Sequence, residues 1–96
     1  MTADEATRII LGRIHSPVVI TDGSMTTGEL IGHAVDRSHM LSGGERVLLD
    51  MALAVWNGNS EARIADLGRI DAENRAAVLS VLCGYYGTPR HAEAVA

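Results

Sequence analysis

The sequence predicts an all-α domain, a compact bundle of about five helices with one short extended segment or strand near residues 17–21. Three observations lead there. Three segments open with Ser or Thr followed three residues later by Glu: Thr2-x-x-Glu5, Thr26-x-x-Glu29 and Ser42-x-x-Glu45. In such a capping box the two side chains satisfy amide donors that a first helical turn leaves unpaired. Each box stands before a run of apolar residues at helical spacing, and the links between the runs are short, so neighbouring helices pack closely.

The first helix is expected over about residues 3–13, with Ile9, Ile10 and Ile14 toward the core. Pro17 breaks the pattern. Val18-Val19-Ile20-Thr21 is β-branched throughout and closes on the turn signal Asp22-Gly23. It reads as a short strand or as an extended segment, and a lone strand would need a partner, such as the same segment of a second copy. The second helix is expected over about 27–39, with Leu30, Ile31, Ala34 and Val35 on one face.

The third helix runs from Gly43 to about Trp56 and stops at Asn57-Gly58. Val47, Leu48, Leu49, Met51, Ala52, Leu53, Val55 and Trp56 surround most of its cylinder, which places it at the centre of the fold. A short fourth helix over about 61–69 offers Ile64, Leu67 and Ile70. Asp71-x-x-Asn74 caps a fifth helix over about 72–86, with Val78, Leu79, Val81, Leu82 and Tyr85 as its apolar face. Gly87-Thr88-Pro89 ends it, and residues 90–96 read as a frayed tail.

Residues 1–96 form one domain on the length prior. A hydrophobic fraction of 47% belongs to a folded chain, and a net charge of −4 is poorly suited to tight non-specific contact with nucleic acid. The strongly apolar stretch Val47–Trp56 is interrupted by Asp50 and is too short to span a membrane, so no membrane association is expected. Met1-Thr2-Ala3-Asp4-Glu5 is acidic where a secretory leader would be basic, and the lone Cys83 has no internal disulfide partner. A cytoplasmic location is the expectation. All eight basic residues are Arg, and both Lys and Phe are missing. Their codons are AT-rich, which points to a high-GC bacterial genome or a phage of one.

Leu41-Ser42-Gly43-Gly44-Glu45-Arg46 resembles the signature loop of ABC and SMC-type ATPases, where Ser and glycine amides at a helix N-terminus contact a phosphate. That family also carries a Walker A loop with its Lys. Here there is no Lys to complete such a loop, so Ser42 reads as a cap and the glycines as a tight helix start. His15, His33, His39 and His91 lack the i, i+4 spacing of a helical zinc pair, and no metal or cofactor is expected. His33 and Asp36 stand at i, i+3, close enough to touch. Cys83, between Leu82 and Gly84, reads as a buried structural thiol. Trp56 and Tyr85 read as core, with a partner surface made of Trp56, Tyr85 and Tyr86 as the other reading. No G-x-S-x-G elbow is present, so no catalytic residues are assigned.

A helix-turn-helix reading arises at about 61–82, where a short helix, a tight turn and a longer helix follow one another. Arg63, Arg69, Asn74 and Arg75 would then contact nucleic acid, with 73–75 opening the recognition helix. Against it, four acidic residues outweigh three Arg between 61 and 75, and the link Ile70-Asp71 is short.

The runs Leu41-Ser-Gly-Gly-Glu-Arg-Val-Leu-Leu-Asp50, Ala54-Val-Trp-Asn-Gly58 and Ile70-Asp-Ala-Glu-Asn-Arg-Ala-Ala-Val-Leu79 resemble small uncharacterised proteins of actinobacteria and their phages. The resemblance covers roughly residues 41–86. It implies a source and a compact helical unit, and it carries no activity. With a well-specified core and no convergent polar site in the sequence, the expected role is non-enzymatic: a binding or accessory protein, from a phage or a high-GC actinobacterium, acting through protein–protein interaction with a host or phage protein. A homodimer is a further expectation, and a DNA-binding regulator is the alternative.

Overall fold

The computed structural model describes residues 1–16, 19, 23–58 and 62–86. Among them are four α-helices, two 3-10 helices and no strand, an all-α bundle. The α-helices are α1 (Ala3–Leu11), α2 (Thr27–Asp36), α3 (Gly43–Asn57) and α4 (Ala72–Tyr86). The expected strand at 17–21 lies outside the described residues except for Val19, which is a buried bend. The expected tail at 90–96 lies outside them too.

All three capping boxes are formed. The hydroxyls of Thr2, Thr26 and Ser42 accept the amides of Glu5, Glu29 and Glu45 at 3.1, 3.1 and 3.2 Å. Each Glu carboxylate accepts the cap amide in return. Asp71 Oδ1 accepts the Asn74 amide at 2.7 Å at the start of α4. At the far end of α3, Gly58 takes the left-handed conformation (φ 69°) and its amide reaches the Ala54 carbonyl. A side chain would be strained there, which is why a glycine ends this helix.

The core is formed chiefly where α1 lies on α3, with α2 and α4 flanking α1. Ile10 and Leu11 meet Leu48 and Leu49 in one buried cluster, and Val78 of α4 joins them. Each such side chain contributes on the order of 1.5–3 kcal/mol by leaving water. Ala6, Ala34 and Ala52 are also fully buried, so small side chains occupy interior positions of three helices. The helix expected at the centre, α3, shares that place with α1. Arg8 ties α1 to the next helix: its Nε donates to Thr27 Oγ1 at 2.8 Å and its Nη2 to the Met25 carbonyl.

Several expectations are corrected. Ile9 and Val35 are exposed, because α1 and α2 each bury a stripe one residue away from them: Ala6, Thr7, Ile10 and Leu11 on α1, and Thr27, Leu30, Ile31 and Ala34 on α2. The second helix ends at Asp36 rather than near His39, and Ser38–Met40 tightens into a 3-10 turn. Such turns commonly finish an α-helix. Ser42 must be extended to cap α3, so the chain leaves helical geometry before it.

The element at 61–69 is a 3-10 helix over Ile64–Arg69 rather than an α-helix. Its apolar side chains grade from open to buried: Ile64 is 88% exposed, Leu67 is half-buried and Ile70 is buried. On α4, Leu79 and Cys83 are exposed rather than inward. That helix is apolar on nearly every side after Arg75, so periodicity does not fix which side meets α1.

Candidate functional site

Two surface features stand out, one polar and one apolar. The polar one is a cleft of about 280 Å³ where the starts of α3 and α4 converge on the chain just after α1. Arg13, Ser42, Glu45, Arg69, Asp71 and Asn74 stand on its walls. His15 also lines it, and several of its other polar groups are engaged. Arg13 Nε donates to Asn74 Oδ1 at 2.8 Å, and its Nη2 lies 3.4 Å from Glu73 Oε1. Arg69 Nη1 lies 3.9 Å from Asp66 Oδ1. Ser42 and Asp71 are committed to their helix caps.

The two glycines of the Ser42-Gly43-Gly44 start lie beside the second 3-10 helix, at distances where a Cβ would make ordinary contacts. A Cβ on Gly43 would stand 3.4 Å from Arg69 Nη2. One on Gly44 would stand 3.5 Å from the Arg69 carbonyl oxygen and 3.8 Å from Ile70 Cγ2. The first turn of α3 therefore lies against the end of the second 3-10 helix. Chemically, the caps of α3 and α4 meet in this cleft.

The residues of the nucleic-acid alternative fall in the same region. Arg75 is half-buried, its Nε donating to the Leu67 carbonyl at 3.0 Å and its Nη2 to the Ile70 carbonyl at 3.1 Å. Asn74 joins the cap of α4 to Arg13. Arg69 is exposed beside Asp66. Arg63 is exposed, with its backbone amide donating to Asp66 Oδ2 at 3.2 Å. The structure thus gathers Asn74 and Arg69 on one cleft and uses Arg75 as a brace between elements.

His33 pairs with Arg37 rather than Asp36: Arg37 Nη1 donates to His33 Nδ1 at 2.8 Å. Among the described residues, no three His, Cys, Asp or Glu side chains are grouped so as to hold a metal ion. No described helix is long and apolar enough to cross a membrane.

The apolar feature is a groove of about 170 Å³ between the C-terminal half of α3, the second 3-10 helix and the end of α4. Met51, Val55, Leu67 and Leu82 form its floor and sides, with Ile64 and Tyr86 on its rim. Arg63 also lines it. Tyr86 is 53% exposed and stacks edge-on against Tyr85, ring centroids 4.5 Å apart. Trp56 and Tyr85 are half-buried against the core, as the core reading expects.

The groove meets α4 at Leu82 and Tyr86. Leu79, Leu82, Cys83 and Tyr86 stand at i, i+3, i+4 and i+7, which is one face of a helix. Three of the four are exposed, and Leu82 is half-buried. Sequence reasoning placed Leu79, Leu82 and Cys83 inside. The signal that would have found this surface was the apolar excess of α4: a helix that is apolar all round, at the edge of a small bundle, has more apolar surface than one neighbour covers.

In comparisons with known proteins, no family model, no curated protein and no solved structure matches the chain.

Proposed function

We propose that this chain is a non-enzymatic protein-binding module whose contact surface is the groove and the adjoining outer face of α4. The observation that carries the reading is Ile64, an isoleucine 88% exposed on the rim of an apolar groove with the exposed Tyr86 beside it. Scattered apolar residues are ordinary on a protein surface. A contiguous set rimming a concavity marks a place for another molecule's apolar side chains.

The polar cleft supports catalysis less well, because Arg13, Asn74, Ser42 and Asp71 on its walls are engaged in helix caps and in the Arg13–Asn74 hydrogen bond. The nucleic-acid alternative draws no support from Arg75 or Asn74, whose polar groups are spent within the fold. An exposed thiol at Cys83 suits a reducing compartment and so a cytoplasmic setting. The all-Arg composition and the resemblance over residues 41–86 favour a source in a high-GC actinobacterium or its phage.

The test compares wild type with Ile64→Asp and with Val35→Asp. The control places the same charge at another exposed apolar position, on α2. Tagged protein is offered a high-GC bacterial lysate and, separately, a differently tagged copy of itself. Loss of every specific association in Ile64→Asp, with all of them kept in Val35→Asp and melting temperatures unchanged, is the expected result. Associations indifferent to Ile64→Asp would overturn the reading.

A further inference from the structure

We propose that His33 and Arg37 form a proton-operated latch at the C-terminal end of α2. Neutral His33 holds the Arg37 side chain folded back on the helix. A proton on His33 releases that side chain and turns the ring to Glu29.

Donor and acceptor chemistry fixes the closed state. Arg37 Nη1 lies 2.8 Å from His33 Nδ1. A guanidinium can only donate, so Nδ1 must accept. The contact therefore exists only while Nδ1 keeps its lone pair and the ring proton sits on Nε2. The same Nη1 donates to the His33 carbonyl at 3.3 Å, and the Arg37 amide meets that carbonyl at 3.3 Å as α2 ends. The guanidinium thus lies over the last turn of the helix, where carbonyls lack partners and a cation is favoured.

A proton on Nδ1 turns the acceptor into a donor. It also sets an imidazolium against a guanidinium at contact distance. Histidine is the side chain that gains its charge between about pH 5 and 8.

The protonated ring has a second partner within one turn. Glu29 stands four residues before His33, the acid-first order that favours an ion pair on a helix. Its carboxyl is held low chiefly by the Thr26 amide and hydroxyl, and the charge of His33 acts in the same direction. Asp36 stands three residues after the ring.

Room for the exchange is present. A hollow of about 310 Å³ beside the ring is lined by Glu29, Gly32, Asp36 and Arg37. Among the described residues, the elements packed on α2 bring no charge into it. Arg8 of α1, paired with Asp4, reaches Thr27 at the other end of α2. On α3, Glu45 serves the Ser42 cap and Arg46 pairs with Asp50. His39, on the 3-10 turn that follows α2, is exposed and outside the hollow.

Nuclear magnetic resonance on the whole chain at about pH 7.5 and about pH 5 tests the latch. Imidazole nitrogen shifts report the tautomer, and carbon relaxation at Arg37 Cδ reports the order of its side chain. At the higher pH the His33 proton should be on Nε2 and the Arg37 order parameter about 0.8. At the lower pH that order parameter should fall below about 0.6. His33→Gln keeps an acceptor that does not titrate, so Arg37 should stay ordered at both. Glu29→Gln keeps the capping box and removes the second partner, so release should move down by about 0.2–0.4 pH unit. His39→Gln should behave as wild type.

A proton on Nδ1 at the higher pH overturns the latch, and so does an Arg37 side chain equally ordered at both pH values. Release that survives in His33→Gln, or is lost in His39→Gln, belongs to another group and overturns it as well. Release in Glu29→Gln at the wild-type pH overturns the exchange of partner.

Discussion

Arg75 Nε donates to the carbonyl oxygen of Leu67 at 3.0 Å, so a side chain on α4 holds the backbone of the second 3-10 helix. Its Nη2 takes the Ile70 carbonyl at 3.1 Å in the same reach. Leu67 lies in the 3-10 helix and Ile70 in the link that joins it to α4, where helical hydrogen bonds give out. Hydrogen bonds from a charged donor contribute about 1.5–3 kcal/mol each when desolvated, and Arg75 is only half-buried.

Arg75→Ala should therefore cost about 1–3 kcal/mol of stability, read from the urea midpoint. Arg63→Ala, at an exposed side chain, should change it by less than about 0.5 kcal/mol. A DNA-reading role predicts the reverse pattern. Arg75→Ala would then leave stability alone and weaken DNA retention together with its salt dependence. Denaturation and a low-salt DNA titration on the same two variants separate the cases.

Ser42 gives the second prediction. Its hydroxyl accepts the Glu45 amide at 3.2 Å and its own amide donates to the Glu45 carboxylate at 3.2 Å. Ser42→Ala removes the first bond and should cost on the order of 1 kcal/mol. Gly58→Ala, at the other end of α3, should cost about as much, because a φ of 69° strains any residue with a Cβ. The two effects should add in the double variant, since the ends of a helix of 15 residues lie roughly 20 Å apart. Loss of association in Ser42→Ala without loss of stability would point back to a ligand at that helix start.

The helix starts were legible because capping chemistry is local. A Thr or Ser and a Glu three residues on need no tertiary information, and all three boxes formed. The burial of α3 was legible for a similar reason: Leu48 and Leu49 lie in a run so apolar that several sides must be covered. Cys83 and Leu79 were not legible. Along α4 the apolar residues stand at nearly every position, so only the placement of α1 decides that Val78 and Val81 go inside and Cys83 stays out. Ile64 was misplaced for another reason. It was assigned to the core as part of an amphipathic α-helix, and the 3-10 geometry of that short segment leaves it at the outer end of the row Ile64, Leu67, Ile70. The candidate surface consists of such positions, which is why it emerged only from the packed structure.

Glu29 yields a pH prediction. The Thr26 amide, donating to its carboxylate at 2.9 Å, holds its pKa below the ordinary 4.5, with the Thr26 side chain and the nearby His33 acting in the same direction. A carboxylate whose folded value is lowered stabilises the fold fully above its unfolded value. That contribution is lost as pH falls through the lowered folded value. The stability difference between wild type and Glu29→Gln should thus be present near neutral pH and shrink below about pH 4. Urea midpoints of both proteins across this range test it, and a difference that grows on acidification would contradict the assignment.

Thr7 supplies the last prediction. It faces the core from α1, is fully buried, and its hydroxyl has no hydrogen-bond partner among the described residues. A buried hydroxyl left unpaired forfeits its hydration and gains nothing in return. Valine has nearly the same shape and lacks the polar atom. Thr7→Val should stabilise the protein by about 1 kcal/mol, or roughly 4–8 °C in melting temperature for a domain of this size. Thr7→Ser keeps the unpaired hydroxyl and removes the methyl that packs beside it, so it should destabilise. The opposite signs are the test: each substitution changes a single group, and a hydroxyl that held a partner would make both variants less stable than wild type.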